Sequence, residues 1–578
     1  MTLVVEKVDA LDEVTEREHG HRLVPLRVSG AVGLWPRRRW FLGLGALGLW
    51  AFADAMIGQS LVNPGGWTLA RRFTSAALHP QLDADFVRVV VDAALTTVSY
   101  ALVGTAVALG IGLVGGVLSS ETWWTRDALD RRFGDRRFGD RRLGDRRFGE
   151  RRAGGRSGRR RSIRSGWLVS RALAVVPRGL HEAVWALILL YVLGRNPLVA
   201  VLGIGIPFGA ITAKVVAEMI DDAAAAPFFA LRAVGAGRFA ALVYGIVPVI
   251  VGELISYTFY RFECAMRSSV ALGAIGAGGL GFELLVSFQS LRYEQIWTML
   301  YALIVLAAVV DGWGAALRRH PSRRRVRASA VVAAGLAVAA AVHLGLRPST
   351  LIAPRARRLA GDLASEAWPP SLPRGGWSAL GQATVDTLQL SIIAITVAAL
   401  LAVPLSFAAV RRTDVTWTGR VVAGTTRLIA MALRAVPPPV GALIVLFVVF
   451  PGSLAGGLAL AAYTLGVLVR LNSGVIEHVD PLPSRVLRGA GAAAVPAAAY
   501  GTLPMVTPRL TALAMYRWEV AMRETVIVGL VGAGGLGRML AQQNASFDES
   551  AMVTTLATLV VLALAIDLVS SRVRAVVR

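Results

Sequence analysis

Two segments carry the same run of reactive side chains, Tyr260-Arg261-x-Glu263-x-x-x-Arg267 and Tyr516-Arg517-x-Glu519-x-x-x-Arg523. On a helix Tyr260, Glu263 and Arg267 share one face, as do Tyr516, Glu519 and Arg523. Arg261 and Arg517 then point about 100° away. Guanidinium forks match the oxygens of a phosphorus oxyanion, so these arginines could coordinate one in transit. The same spacing also suits a Glu–Arg pair that only locks the helix, or an anchor at a membrane interface. Downstream, GAGGLG at 276–281 and again at 532–537 matches a dinucleotide-binding pattern. That chemistry needs a strand before the glycines and a soluble helix after them. Here the glycines lie in apolar runs, which favours a broken, re-entrant segment with Gly276, Gly278, Gly279, Gly532, Gly534 and Gly535 against a translocation path. Upstream, Glu218, Asp221, Leu231, Arg232 and Gly235 recur as Glu477, Asp480, Leu487, Arg488 and Gly491. An acid, Leu-Arg and a glycine present twice suggest a docking element; an ordinary loop is the plainer reading.

These side chains need elements to hold them, and the composition says which. The chain has 578 residues, 55% hydrophobic and 17% charged, with a mean hydropathy of +0.58. A soluble domain is usually about a quarter charged, so this is an integral membrane protein. Its net charge is +24, carried by arginine apart from Lys7 and Lys214. Positive-inside topology accounts for that charge without nucleic acid as a partner. The lone Cys264 forms no intrachain disulfide and reads as a packing residue, and no cysteine–histidine cluster suggests a metal. His181, Glu182 and Trp185 read as lining or packing residues, and the sequence offers no catalytic set.

Twelve apolar stretches could span, near 40–58, 88–117, 168–194, 197–217, 239–262, 295–316, 328–345, 381–409, 424–450, 454–476, 498–516 and 552–570. The expected fold is an all-α membrane protein in two tandem parallel repeats with both termini cytoplasmic, since Arg37–Arg39, the 119–166 loop, Arg318–Arg327, Arg411–Arg412 and the tail arginines then share one side. Residues 244–281 and 500–537 align without a gap at an offset of 256, with 18 identities in 38 positions. Glu218-x-x-Asp221 and Glu477-x-x-Asp480 match at 259 if the first copy has three extra residues, and Asp92 and Asp386 at 294. The expected organisation is a cytoplasmic tail over 1–36, a first repeat over 37–316, a basic linker over 317–327 and a second repeat over 328–578. Within the first repeat, 126–164 holds 16 arginines and 6 acids in an RRFGD-type repeat, read as a solvated loop in reach of lipid headgroups.

The acid, glycine and apolar-helix pattern, followed by Tyr-Arg-x-Glu-x-x-x-Arg and GAGGLG, resembles the phosphonate permeases of ABC importers. It is less similar to methionine and glycine-betaine permeases. Neither loop keeps the family's Glu-Ala-Ala string; Ala230-Leu231 and Val486-Leu487 stand nearby. The resemblance implies the type I importer fold, seen in methionine permeases, with Glu218–Gly235 and Glu477–Gly491 as coupling loops. It also implies two cytoplasmic ATPase subunits, an extracellular substrate-binding protein and location in a bacterial plasma membrane. ATP and magnesium would belong to the ATPase, because neither lysine follows a glycine as a Walker A loop requires. A secondary transporter of parallel six-helix repeats is the alternative outside this class; it would need relaying acids, and Glu253, Glu263 and Glu519 are few.

Overall fold

The computed structural model describes residues 34–56, 63, 65–124, 166–223, 225–319, 322–410 and 417–577. The RRFGD loop, the first 33 residues, Arg411, Arg412 and the side chains of Arg37–Arg39 lie outside what is described. The first repeat contains α1 (Leu34–Met56), α2 (Gly66–Ala76), α3 (Ala84–Ser119), the single turn α4 (Glu121–Trp124), α5 (Gly166–Gly179), α6 (Glu182–Leu193), α7 (Pro197–Asp222), α8 (Ala226–Ala233), α9 (Arg238–Gly245), α10 (Val247–Leu272), α11 (Leu280–Gln289) and α12 (Tyr293–Arg319). The second contains α13 (Arg323–His343), α14 (Pro354–Glu366), α15 (Gly376–Ala409), α16 (Trp417–Ala435), α17 (Pro438–Val445), α18 (Ser453–Glu477), α19 (Leu482–Gly489), α20 (Ala494–Ala497), α21 (Leu503–Val528), α22 (Gly535–Ala545) and α23 (Glu549–Val577). Among the described residues the regular elements are helical, as a hydrocarbon environment demands of backbone groups that cannot find water.

Among the described residues, seven helices are long and apolar enough to cross a membrane, and four bent pairs, each taken as one span, bring the number to eleven. The apolar part of α1, Leu42–Met56, is shorter. Each of the twelve apolar stretches read from the sequence therefore coincides with a helix or a bent pair. The bends have local causes. Between α5 and α6 the chain turns by 89° at His181, whose Nδ1 accepts from the Ala183 N–H at 3.1 Å and caps α6. Between α16 and α17 the turn is 97°, at Pro437 and Pro438.

Helix starts fix the internal repeat. α6 and α17, α7 and α18, α10 and α21, and α12 and α23 all begin 256 residues apart. The same offset holds through α7 and α18 and on to α8 and α19, so the segment read as the first coupling loop carries no three-residue insertion. Asp221 corresponds to Glu477, and the match of Glu218 to Glu477 is one helical turn out of register. The offset at α3 and α15 is 290, where Thr97 and Thr387 perform the same task, and the Asp92–Asp386 match is likewise a turn out. Residues one turn apart lie on the same helix face, which is why an isolated acid could not distinguish these registers.

Within each repeat the longest contact is between the second span and the fourth, α3 against α7 and α15 against α18. Small residues allow the first of these to close. A Cβ at Gly112 would come within 2.3 Å of Thr212 Cγ2, and one at Gly205 within 2.6 Å of Val107 Cγ1. The opening helices are exchanged: α1 packs on α15 of the second repeat, and α13 packs on α3 of the first. Ala51 and Ala55 are buried with Ile392 and Ile393, and Ala340 is buried with Tyr100 and Ala101. Each half thus contributes to burying the other.

Candidate functional site

Where the repeats meet, α10 and α21 bring the two Tyr-Arg-x-Glu-x-x-x-Arg segments to the interface, and the two copies are used differently. Glu263, 9% exposed, accepts from Arg434 Nη1 at 2.6 Å and from Arg470 Nη1 at 3.1 Å, both from the other repeat. Asp311 on α12 receives the same two arginines, Arg470 at 3.1 Å. Arg267 lies 3.5 Å from Glu263, the i,i+4 contact expected from the spacing. In the second repeat the equivalent Glu519 pairs within its own half, with Arg574 on α23. Arg523 donates to the Arg178 carbonyl at 2.9 Å. A buried charge without partners is costly, and here two acids and three arginines satisfy one another across the interface.

Beside that network lies a second group in which cations outnumber acids. Arg261 is 6% exposed, donates from Nε to Tyr257 Oη at 2.6 Å, and has the Phe208 and Tyr257 rings 5.2 and 5.1 Å from its guanidinium carbon. Arg517 is 4% exposed; its Nη2 lies 3.4 Å from Glu524 Oε2, and its Nε is buried without a hydrogen-bond partner. Tyr463 stands between the repeats, accepting from Arg267 Nη1 at 3.1 Å while its ring faces Arg267 at 5.6 Å and Arg517 at 5.5 Å. Glu182 accepts from Ser268 Oγ at 2.5 Å. Tyr260 is 39% exposed. Taking both groups together, six arginines (Arg261, Arg267, Arg434, Arg470, Arg517 and Arg523) stand against four carboxylates (Glu182, Glu263, Asp311 and Glu524), with aromatic rings against Arg261, Arg267 and Arg517. Arg434, Arg470, Asp311 and Tyr463, which complete both groups, were not singled out from the sequence; their partners in the opposite repeat lie more than a hundred residues away, and no local spacing reports that.

The glycine motifs form the same hairpin twice. After α10 the chain takes a π-turn over Gly273–Ala277 and reverses into α11; after α21 it does so over Gly529–Ala533 into α22. Gly276 and Gly532 adopt φ of 111° and 106°, a region closed to most side chains. Gly279 and Gly535 lie against threonines: a Cβ would meet Thr97 Oγ1 at 2.7 Å and Thr387 Oγ1 at 2.5 Å. Those hydroxyls accept from an N–H in the first turn of the returning helix, Leu280 at 2.9 Å and Leu536 at 2.8 Å, while donating to Ala93 and Ala383 carbonyls. With no strand before it and a helix pinned after it, the motif is a chain reversal and not a nucleotide cradle.

At the far end of α7, Asp221 accepts from Ser120 Oγ at 2.8 Å and from the Thr122 N–H at 3.0 Å, tying α7 to the α3–α4 corner. Arg171 lies 3.8 Å from Asp221 and donates to the Ser119 carbonyl at 3.2 Å. The equivalent Arg427 pairs with Glu477 and donates to the Ala409 carbonyl at 2.6 Å. Glu218 pairs at 3.9 Å with Lys214, and Asp480 caps the Leu482 N–H at 2.9 Å. Leu231 and Arg232 sit on α8, Leu487 and Arg488 on α19. Arg232 folds back onto the Ala236 carbonyl at 2.7 Å. Gly235 and Gly491, with φ of 92° and 91°, end the two short helices in matching left-handed turns.

Comparison with known proteins bears on this arrangement. A phosphate-import permease protein of Mycolicibacterium smegmatis is 27% identical over 415 residues, 68% of this chain and 76% of the relative. A phosphite transport system permease protein of Stutzerimonas stutzeri is 34% identical over 203 residues, 35% of this chain and 72% of that protein. The chain belongs to the phosphonate and phosphite permease family. A putative cryptic phosphonate transport permease protein of Escherichia coli K12 matches the permease at 31% identity over 110 residues, 90% of its own length and 19% of this chain. No protein-family model matches the chain. An inward-facing MetNI methionine ABC transporter shares 21% identity over 35% of this chain and 97% of that one, at a TM-score of 0.31, too low to carry an argument. The permease is a multi-pass membrane protein, and its relatives are transport subunits rather than enzymes.

Proposed function

We propose that the permease is the transmembrane part of an ATP-driven importer for a phosphonate or a related phosphorus oxyanion such as phosphite or phosphate. The observation that carries this is the excess of arginine over carboxylate at the repeat interface, six against four, with Arg261 and Arg517 buried and Arg517 Nε without a partner among the described residues. Burying guanidinium at membrane depth is expensive, and an oxyanion in transit supplies the missing counter-charge. Tyr260 and Tyr516 would supply hydroxyls on the same path, and the hairpins at Gly276, Gly278, Gly279 and Gly532, Gly534, Gly535 would form its turning wall.

Two cytoplasmic ATPase subunits would hold ATP and magnesium and dock on α8 and α19, and an extracellular binding protein would deliver the anion. Closure of the ATPases would draw the two docking elements together and turn the cavity between the repeats outward; hydrolysis would reset it. Both termini would then be cytoplasmic, in a bacterial plasma membrane, with lipid around the outer helices. The second copy's docking element supplies the direct test. Deleting Glu477–Gly491 in the assembled transporter should abolish uptake of labelled phosphonate while the permease still reaches the membrane; undiminished uptake would overturn the reading.

A further inference from the structure

The first repeat holds a partly open cavity of about 210 Å³ that the interface groups do not use. It lies at the Pro197 end of α7, about 36 Å along that 26-residue helix from the Asp221 junction. Ala186 and Leu190 from α6, Leu272 from the end of α10 and Val199 form an apolar wall, and Arg195 and Asn196 form a polar edge. Arg195 is exposed and makes no hydrogen bond or ion pair among the described residues. Asn196 spends its Oδ1 on the Leu198 N–H at 2.9 Å, which leaves its amide N–H₂ free to donate. The floor is fixed, because Tyr100 Oη donates to the Ala277 carbonyl at 2.8 Å. Ile275, also in the lining, packs on the buried cluster containing Tyr463, the residue beneath Arg267 and Arg517. Cavity and interface therefore share a wall. The second repeat has Leu390, Pro451 and Gly452 where the first has Tyr100, Arg195 and Asn196, so these polar groups have no twin.

We propose that this cavity is an entry site that holds a phosphonate by its oxyanion and its substituent before passage to the interface arginines. Arg195 and Asn196 take the oxygens, and the wall of Ala186, Leu190, Val199 and Leu272 takes a small apolar group on phosphorus. The site thus prefers an alkylphosphonate to an inorganic oxyanion that offers nothing to that wall. It is small for a ligand pocket, which suits a few-atom anion. This inference rests on the transport reading and adds a substrate preference to it.

The test is uptake of labelled methylphosphonate and of phosphite by cells expressing the whole transporter, with membrane abundance measured for every variant. Arg195→Gln should raise the half-saturation concentration about tenfold for both anions, the loss of roughly one charge-assisted contact. Ala186→Leu fills the apolar wall and should lower methylphosphonate uptake about tenfold with phosphite changed less than twofold. Val199→Ala enlarges the wall and should admit propylphosphonate, a gain that misfolding cannot mimic. Unchanged uptake in Arg195→Gln, or equal loss of both anions in Ala186→Leu, overturns the entry site while leaving transport intact. If Arg195→Gln instead sheds a co-purifying anionic lipid with uptake unaltered, the cavity binds a lipid headgroup and the proposal falls. Wild-type uptake of neither anion would remove the transport reading itself, and this inference with it.

Discussion

Glu477 occupies in the second repeat the place that Asp221 holds in the first, closing the fourth span against an arginine on the third. Arg171 and Arg427 each bridge that acid and the last carbonyl of the second span, Ser119 or Ala409. Three helix ends are thereby tied directly before each short helix read as a docking element. If α8 and α19 are the docking elements of the proposed mechanism, force applied there would reach the spans through this knot, which would act without touching cargo.

The junction should therefore be sensitive to charge geometry rather than to charge alone. Arg427→Glu is expected to cut uptake at least tenfold, about 1.4 kcal/mol of coupling, and Arg427→Glu with Glu477→Arg is expected to recover most of it. Failure of the exchange to rescue, with both proteins at normal membrane abundance, would reduce the pair to a local helix clamp.

The threonine beneath each hairpin makes a separate prediction. Thr387→Val keeps the shape but leaves the Leu536 N–H buried without an acceptor, a loss of about 1–3 kcal/mol. Its thermal midpoint in detergent should fall, and Gly535→Ala should fall further, since a Cβ there meets Thr387 Oγ1 at 2.5 Å with φ at 68°. A Gly535→Ala protein as stable as wild type would show that the hairpin can rebuild without its close approach.

How far these features could be read in advance follows the range of the interactions that make them. The twelve spans were legible because twenty apolar residues in a row are a local signal. The tandem duplication was legible because both hairpins keep their glycines, and the glycines are dictated by backbone conformation within a few residues. Registers that rest on single acids slipped by a turn at Asp221 and at Asp386, where sequence places two candidates on one face. The pairing of Glu263 with Arg434 and Arg470 was not legible at all. It joins residues 171 and 207 positions apart, and the near-identical motif around Glu519 makes a different choice.

That difference between near-identical motifs should be measurable as unequal stability. Arg434→Leu removes the most deeply buried of the arginines between Glu263 and Asp311, leaving Arg470 on both acids and Arg267 on Glu263, where removing one partner of a buried pair costs about 3–5 kcal/mol. Arg574→Leu strands only Glu519. The first variant should lose far more thermal stability than the second, and Arg434→Leu with Glu263→Gln should recover part of the loss. Equal losses at the two sites would mean that the asymmetry has no energetic weight.

Cys264 offers a native reporter of the motion that the proposed mechanism requires. It sits on α10 with its Sγ 3.5 Å from Arg267 Nη2, one turn from Tyr260, and it is the only cysteine in the chain. If the repeats part to expose Arg261, Arg267, Arg517 and Arg523, the thiol must become reachable from the same space. A membrane-impermeant maleimide applied from outside should label Cys264 faster when the partner ATPases are held in their ATP-bound state than when they are empty. Saturating phosphonate should slow the labelling, because a bound oxyanion fills the space beside the thiol. Cys264→Ser fixes the background without changing the volume beside Arg267. A labelling rate identical in both nucleotide states and indifferent to phosphonate would show that this interface stays closed, and would move the path away from the two arginine-bearing helices.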